Sequence, residues 1–433
     1  MKRAFSRRCR TGHFTFGRNV HGPLATIERP ELPVTSPSVL RLGLLRLTDA
    51  APLVIAREFG FFAAEGLEAA LSVEPSWANV ADKLGCGLLD GAVMLPPLAL
   101  AIGLGLRGGA GAEPLVVPSS ISLNGNTVTL AESWASAVLA EDADIGEPLR
   151  TARRFASAIA QRPHRRKPVL AVVHTYSTHN FLLRYWLAAG GIDPDRDVVL
   201  TVLPPAQTEE AMRAGEIDGF CAGAPWGEVA AREGLGRAVA TSHGIWNHGP
   251  EKVFAVRQDI AETQPDRLRA LLRALLRAGR FCDAPENAEP VATVLARNVY
   301  VGVDPDIIRS SLPGAAACRP ADAPVNADAS VFFANAATFP WRSHALWFLR
   351  EMARWGYLDA GQGQAAAAIY RPDLYAQAAR SLDMPVPAAD VKSEGTHSGA
   401  WSLSAAPVPI SMGADRFLDG AQFDPAGSAA PIS

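Results

Sequence analysis

The chain has 433 residues, 48% of them hydrophobic and 20% charged, with a formal net charge of −3. That balance belongs to a globular protein of two or three domains or lobes, and so small a charge gives no reason to expect nonspecific nucleic-acid or membrane binding. The five cysteines, at 9, 86, 221, 282 and 318, form no CxxC pair and read as reduced, mostly buried thiols rather than a zinc site.

Residues 1–38 are basic, then Pro-rich, and read as a flexible extension. Ser6-Arg7-Arg8 looks like the opening of a twin-arginine export signal, but charges interrupt every short apolar run behind it. A cytoplasmic location is therefore expected. No later stretch reaches about 18 uninterrupted apolar residues, so no transmembrane helix is predicted.

From residue 40 the chain alternates. A strand at 40–45 leads through Thr48-Asp49-Ala50-Ala51-Pro52 into a helix at 53–62, then come a strand at 66–73, a helix at 79–84 and a strand at 90–95. Segments around Asn124-Gly125-Asn126 and a partly helical connector at 135–167 lead out of this unit. The same grammar then repeats. A strand at 169–173 precedes a helix at 179–189 that Ser177 or Thr178 can cap, followed by a strand at 198–203, a helix at 208–214 and a strand at 218–222. Alternation of this kind predicts an α/β protein with a largely parallel sheet, and its repetition predicts two lobes of one plan facing a cleft. Beyond 252 the chain turns strongly helical (266–281, 286–298 and the aromatic block 338–352). The boundaries follow: an extension at 1–38, lobe one at 39–125, lobe two at 126–252, a return to lobe one with C-terminal helices at 253–382, and a disordered, Pro/Ala/Ser/Gly-rich tail at 383–433.

His179 falls in the first turn of a helix that follows a strand, where unpaired N–H groups and the helix dipole favour an anion. Read alone, it more readily decorates the helix start than binds an anion, because most such starts bind nothing.

Several motifs together are more specific: Thr48-Asp49-Ala50-Ala51-Pro52, Ser76-Trp77, Asp90-Gly91-Ala92, Thr178-His179, Arg184 through Pro194, Asp218-Gly219-Phe220-Cys221 with Pro225-Trp226, Pro250-Glu251-Lys252, and Pro340-Trp341-Arg342-Ser343-His344. In this order they resemble the nitrate- and bicarbonate-binding proteins of NrtA/CmpA type, over roughly residues 40–380. The resemblance implies a two-lobed periplasmic-binding-protein (type II) fold, with parallel-sheet lobes closing on an anion. It also implies a ligand set of Trp77, Asn126, His179 and Lys252, with Asn126 standing where the family has Gln. The bicarbonate branch places an acid and a calcium ion at the position of Lys252, so a lysine there implies nitrate or nitrite and neither metal nor cofactor. Nitrate is a planar, weakly hydrated acceptor, and these side chains offer it one charge and three kinds of donor. Each has an ordinary structural role beside this one: Trp77 as a core aromatic, Lys252 as a surface charge, Asn126 as a turn residue. Trp226 reads as core or cleft wall.

With no export signal read, the chain resembles the cytoplasmic nitrate/nitrite sensors of NasS type. These hold an RNA-binding antiterminator of NasT type and release it when the anion binds. Two other readings stand beside it. One is the solute-binding component of a nitrate ABC transporter. The other is an enzyme like the thiamine-pyrimidine synthases, although no cysteine cluster or nucleophile–base pair is found in the sequence.

Overall fold

The computed structural model describes residues 39–107, 114–139, 145–162, 166–314, 330–359 and 364–426. The expected extension, with Ser6-Arg7-Arg8 and Cys9, and also Cys318, lies outside the described residues.

Two five-stranded sheets organise the chain. The first uses β1 (Leu40–Leu44), β2 (Ala69–Val73), β3 (Gly91–Met94), β4 (Leu115–Leu123) and the returning β10 (Pro250–Arg257). The second uses β5 (Asn126–Ala131), β6 (Val169–Val172), β7 (Val199–Val202), β8 (Gly219–Gly223) and β9 (Gly236–Thr241). Their orders, β2-β1-β3-β10-β4 and β7-β6-β8-β5-β9, are the same plan used twice.

The lobes were expected to carry parallel sheets, and here the structure corrects the sequence. In the first sheet β1 is parallel to β2 and β3, but β10 runs antiparallel to β3 and β4. In the second, β6 is parallel to β7 and β8, while β5 is antiparallel to β8 and β9. The reversed strand in each sheet is the one arriving from the other lobe. It enters at the junction, where the neighbouring parallel strands end, and must run away from it. The outgoing crossover is Asn124-Gly125, both with positive φ, 61° and 86°. A Cβ at Gly125 would lie 2.5 Å from Ser330 Oγ, so the tight turn there excludes a side chain. The return crossover is complete by Pro250, which places Lys252 in the first sheet.

β4 is buried along its whole length because both faces of the sheet are covered. On one face the long helix Pro265–Asp283 presents Leu268, Leu271, Leu272, Leu275, Leu276 and Cys282 to a core that also takes Val116 and Ile121. Leu115 and Val117 face the other core, which continues into the second lobe through Phe181, Leu183, Trp186 and Phe220. Of the cysteines expected to be mostly buried, Cys221 and Cys282 are buried, but Cys86 is exposed. Among the described residues no helix is long and apolar enough to cross a membrane.

The tail expected to be disordered from 383 is instead folded through residue 426. Short antiparallel pairs join Val386–Pro387 to Ala405–Ala406 and Trp401–Leu403 to Ile410–Met412. Aromatic anchors explain its order. Phe417 is 2% exposed and stacks on Trp246 and Trp347, with ring centroids 4.7 and 5.9 Å away. Tyr185, on the helix Thr178–Ala189, donates to Asp419 at 2.9 Å. Ser343 donates to the buried Glu394 at 2.9 Å. Low-complexity spacing conceals such sparse anchors, since each needs a distant partner to bury against.

Candidate anion-binding site

The elements at the junction aim chemistry into one place. The ends of β1, β2 and β6 lead into Thr48–Ala50, the helix Trp77–Gly85 and the helix Thr178–Ala189, while β5 and β10 begin there. Ligands of α/β folds gather at the carboxyl ends of parallel strands for the same geometric reason. Ser76 caps the first helix, its Oγ accepting from Asn79 N at 3.2 Å, and Ser177 caps the second, accepting from Asn180 N at 3.0 Å. Those caps fix Trp77 and His179 in the opening turns.

The structure brings all four sequence-predicted residues together. Trp77, Asn126, His179 and Lys252 are each at most 1% exposed. Lys252 Nζ lies 5.4 Å from the Trp77 ring centroid, a cation–π contact. Asn126 Nδ2 donates to Glu251 Oε2 at 2.5 Å, and Lys252 Nζ donates to Glu251 Oε1. His179 Nε2 stands 3.4 Å from the same Oε1, but neither ring nitrogen is aligned for a hydrogen bond. Thr178 Oγ1 donates to the Glu251 carbonyl at 3.3 Å.

Two members were not assigned from the sequence. Asp49 pairs with Lys252, Oδ2 to Nζ at 2.8 Å, and Glu251 is the hub just described. Both lay within quoted motifs but had been given no chemistry. Strand alternation explains the omission of Glu251, because adjacent residues of a regular strand face opposite ways. β10 is irregular here, with register shifts on either side of Lys252 against β4. The irregularity lets Glu251 and Lys252 reach one cluster.

Burial and charge set the protonation states. Burial pushes the His179 imidazolium well below its ordinary range, and Lys252 adds to that, so His179 is a neutral ring. Burial would also lower Lys252, but Asp49 and Glu251 outweigh it and hold the ammonium above its usual value. For Asp49 and Glu251 burial is the largest influence and raises both, with Lys252 opposing it. The ammonium sits between the two carboxyls. Several buried polar atoms here lack a partner: Trp77 Nε1, both nitrogens of His179, Asn126 Oδ1 and Asp49 Oδ1. Buried polar groups of that kind are costly while they remain unpartnered. An oxyanion can accept from the indole and imidazole N–H groups while lying against the ammonium.

The lobes meet directly around this cluster. Thr48 N donates to Ala224 O at 2.9 Å, and Trp226 Nε1 donates to Arg46 O at 3.0 Å. Trp226 is thus both core and a bridge between the lobes.

The NMT1-like family model matches residues 35–296, more than half of the chain. The chain belongs to that family. Within it, it belongs with the NrtA/CmpA group. It is 30% identical to the nitrate/nitrite binding protein NrtA of Nostoc sp., over 93% of this chain and 87% of that protein. It is 39% identical to the nitrate import ATP-binding protein NrtC of Synechocystis sp. over 80% of this chain, but spans only 50% of NrtC's length. The crystal structure of the periplasmic nitrate-binding protein NrtA from Synechocystis PCC 6803 superposes with a TM-score of 0.76 at 28% identity, covering 91% of this chain and 98% of that one. The two-lobed fold that the motifs implied is therefore the fold of this family, with the mixed sheets described above.

Proposed function

We propose that this chain is a solute-binding protein for nitrate or nitrite that works with an ABC import system. The observation that carries the proposal is the convergence of one ammonium, an indole N–H, a neutral imidazole and an amide at the junction of two lobes. Nitrate spreads a single charge over three acceptor oxygens and needs several fixed donors plus one positive charge. Relatives named for nitrate binding and nitrate import support the same assignment. The role is binding rather than catalysis. The site offers no nucleophile with a base to activate it, since His179 has no hydrogen-bonded partner and Lys252 is held charged.

The sensor reading, with a NasT-type antiterminator as partner and a cytoplasmic address, rests on the chain's opening residues. The relatives' names favour delivery to a transporter over that role. Cell fractionation with N-terminal sequencing separates them, and so does co-purification of a partner with and without nitrate. The binding proposal itself is tested by calorimetry of the purified protein with nitrate, nitrite and bicarbonate. Saturable 1:1 binding of nitrate or nitrite is expected; heat from bicarbonate alone would overturn the assignment.

A further inference from the structure

The charges at the site do not favour a second anion as they stand. Lys252 brings one positive charge, while Asp49 and Glu251 bring two carboxyls, and the three are 0%, 4% and 1% exposed. The other groups facing them among the described residues are Asn126 from β5, Thr178 and His179 from the helix Thr178–Ala189, and Trp77 from its own helix. None of these adds a positive charge, because His179 is neutral. With both carboxyls ionised the cluster carries one net negative charge before any ligand arrives. In a buried setting a further anion would then meet repulsion that solvent cannot screen.

The hydrogen bonds show how this can be relieved. Asn126 spends its Nδ2 on Glu251 Oε2 at 2.5 Å, while its Oδ1, also buried, has no partner. That is the wrong way round for an amide meant to donate to an anion. A protonated Glu251 reverses it: the carboxyl O–H donates to Oδ1, the amide turns over, and Nδ2 is released toward the ligand. We propose that each nitrate-class anion enters this site together with one proton, and that Glu251 is the residue that holds it. The proposal rests on the nitrate reading above and deepens it. The balance is simple: the Glu251 carboxylate takes one proton from solvent to become a carboxylic acid, the anion enters, and nothing is oxidised or reduced. The net charge of the site is the same before and after. Burial already pushes both carboxyls upward, so the proton is held at a pH where an exposed glutamate would release it. An anion at the site raises Glu251 further, which is the linkage.

The sign follows from the uptake. Protonation accompanies binding, so nitrate affinity falls as pH rises between the Glu251 pKa of the free protein and that of the complex, approaching about tenfold per pH unit. Nitrate itself does not titrate there, so any slope belongs to the protein. The test is nitrate calorimetry on the full chain from about pH 6 to about pH 9, in buffers of differing ionisation heat, which counts protons directly. Uptake approaching one proton per nitrate is expected, together with Glu251→Gln binding nitrate with no proton uptake and no pH slope. Nitrate bound without proton uptake and with a flat pH profile would overturn the proposal while leaving the nitrate reading intact. Undiminished uptake in Glu251→Gln would overturn the assignment to Glu251 and pass it to Asp49. Failure of the wild-type chain to bind nitrate at any pH would overturn the nitrate reading, and this proposal with it. The wild-type proton count needs no variant, so a poorly folding Glu251→Gln does not remove the test.

Discussion

Trp77 contributes to the site in two separable ways. Its ring lies under the Lys252 ammonium at 5.4 Å, and its Nε1–H is a buried donor without a partner. Trp77→Phe keeps an aromatic face and removes the donor. A hydrogen bond to a charged group contributes about 1.5–3 kcal/mol, so nitrate affinity should fall roughly 10- to 150-fold in that variant. An unchanged dissociation constant by titration would make Trp77 a packing residue only. The four residues carried over from the motifs all reach the cluster, because each sits at an element end facing the junction. Glu251 and Asp49 needed coordinates to be recognised. An irregularity in β10 defeats the period-two pattern that would turn Glu251 away from Lys252. Asp49 stands some 200 residues from its partner in a turn that reads as a helix cap.

At the scale of elements, strands and the capped helix after Ser177 were legible because apolar periodicity and that cap are local signals, whereas the Ser76 cap emerged only with the structure. Strand direction is not local. β10 lies between β3 and β4 although it follows them by more than a hundred residues, and nothing in Pro250–Arg257 records its reversal. The tail was hidden for the same reason, since Phe417 orders it only by meeting Trp246 and Trp347. Phe417→Ala should therefore cost about 3–5 kcal/mol and expose the backbone of residues 386–426 to hydrogen exchange. Exchange in that segment matching the wild type would show that Phe417 is not its anchor.

In the whole molecule the duplicated sheet plan places one lobe's helix starts opposite the other lobe's returning strand, and the contacts Thr48–Ala224 and Arg46–Trp226 join the lobes beside the site. The residues proposed to hold the anion come from both lobes, so an anion bound there would couple them. Asn126 and His179 belong to the second lobe, while Trp77, Lys252, Glu251 and Asp49 belong to the first. Removing the central charge should undo that coupling. Lys252→Glu leaves three buried carboxyls with no cation, adding repulsion to the loss of attraction. Breaking a buried pair in this way also costs about 3–5 kcal/mol of stability, so the melting midpoint should fall with it. The most direct measurement is calorimetric titration of nitrate into the wild-type chain and into Lys252→Glu, with circular dichroism confirming that both are folded. The account predicts saturable 1:1 binding in the first and none in the second. Equal nitrate affinity in the two would contradict it.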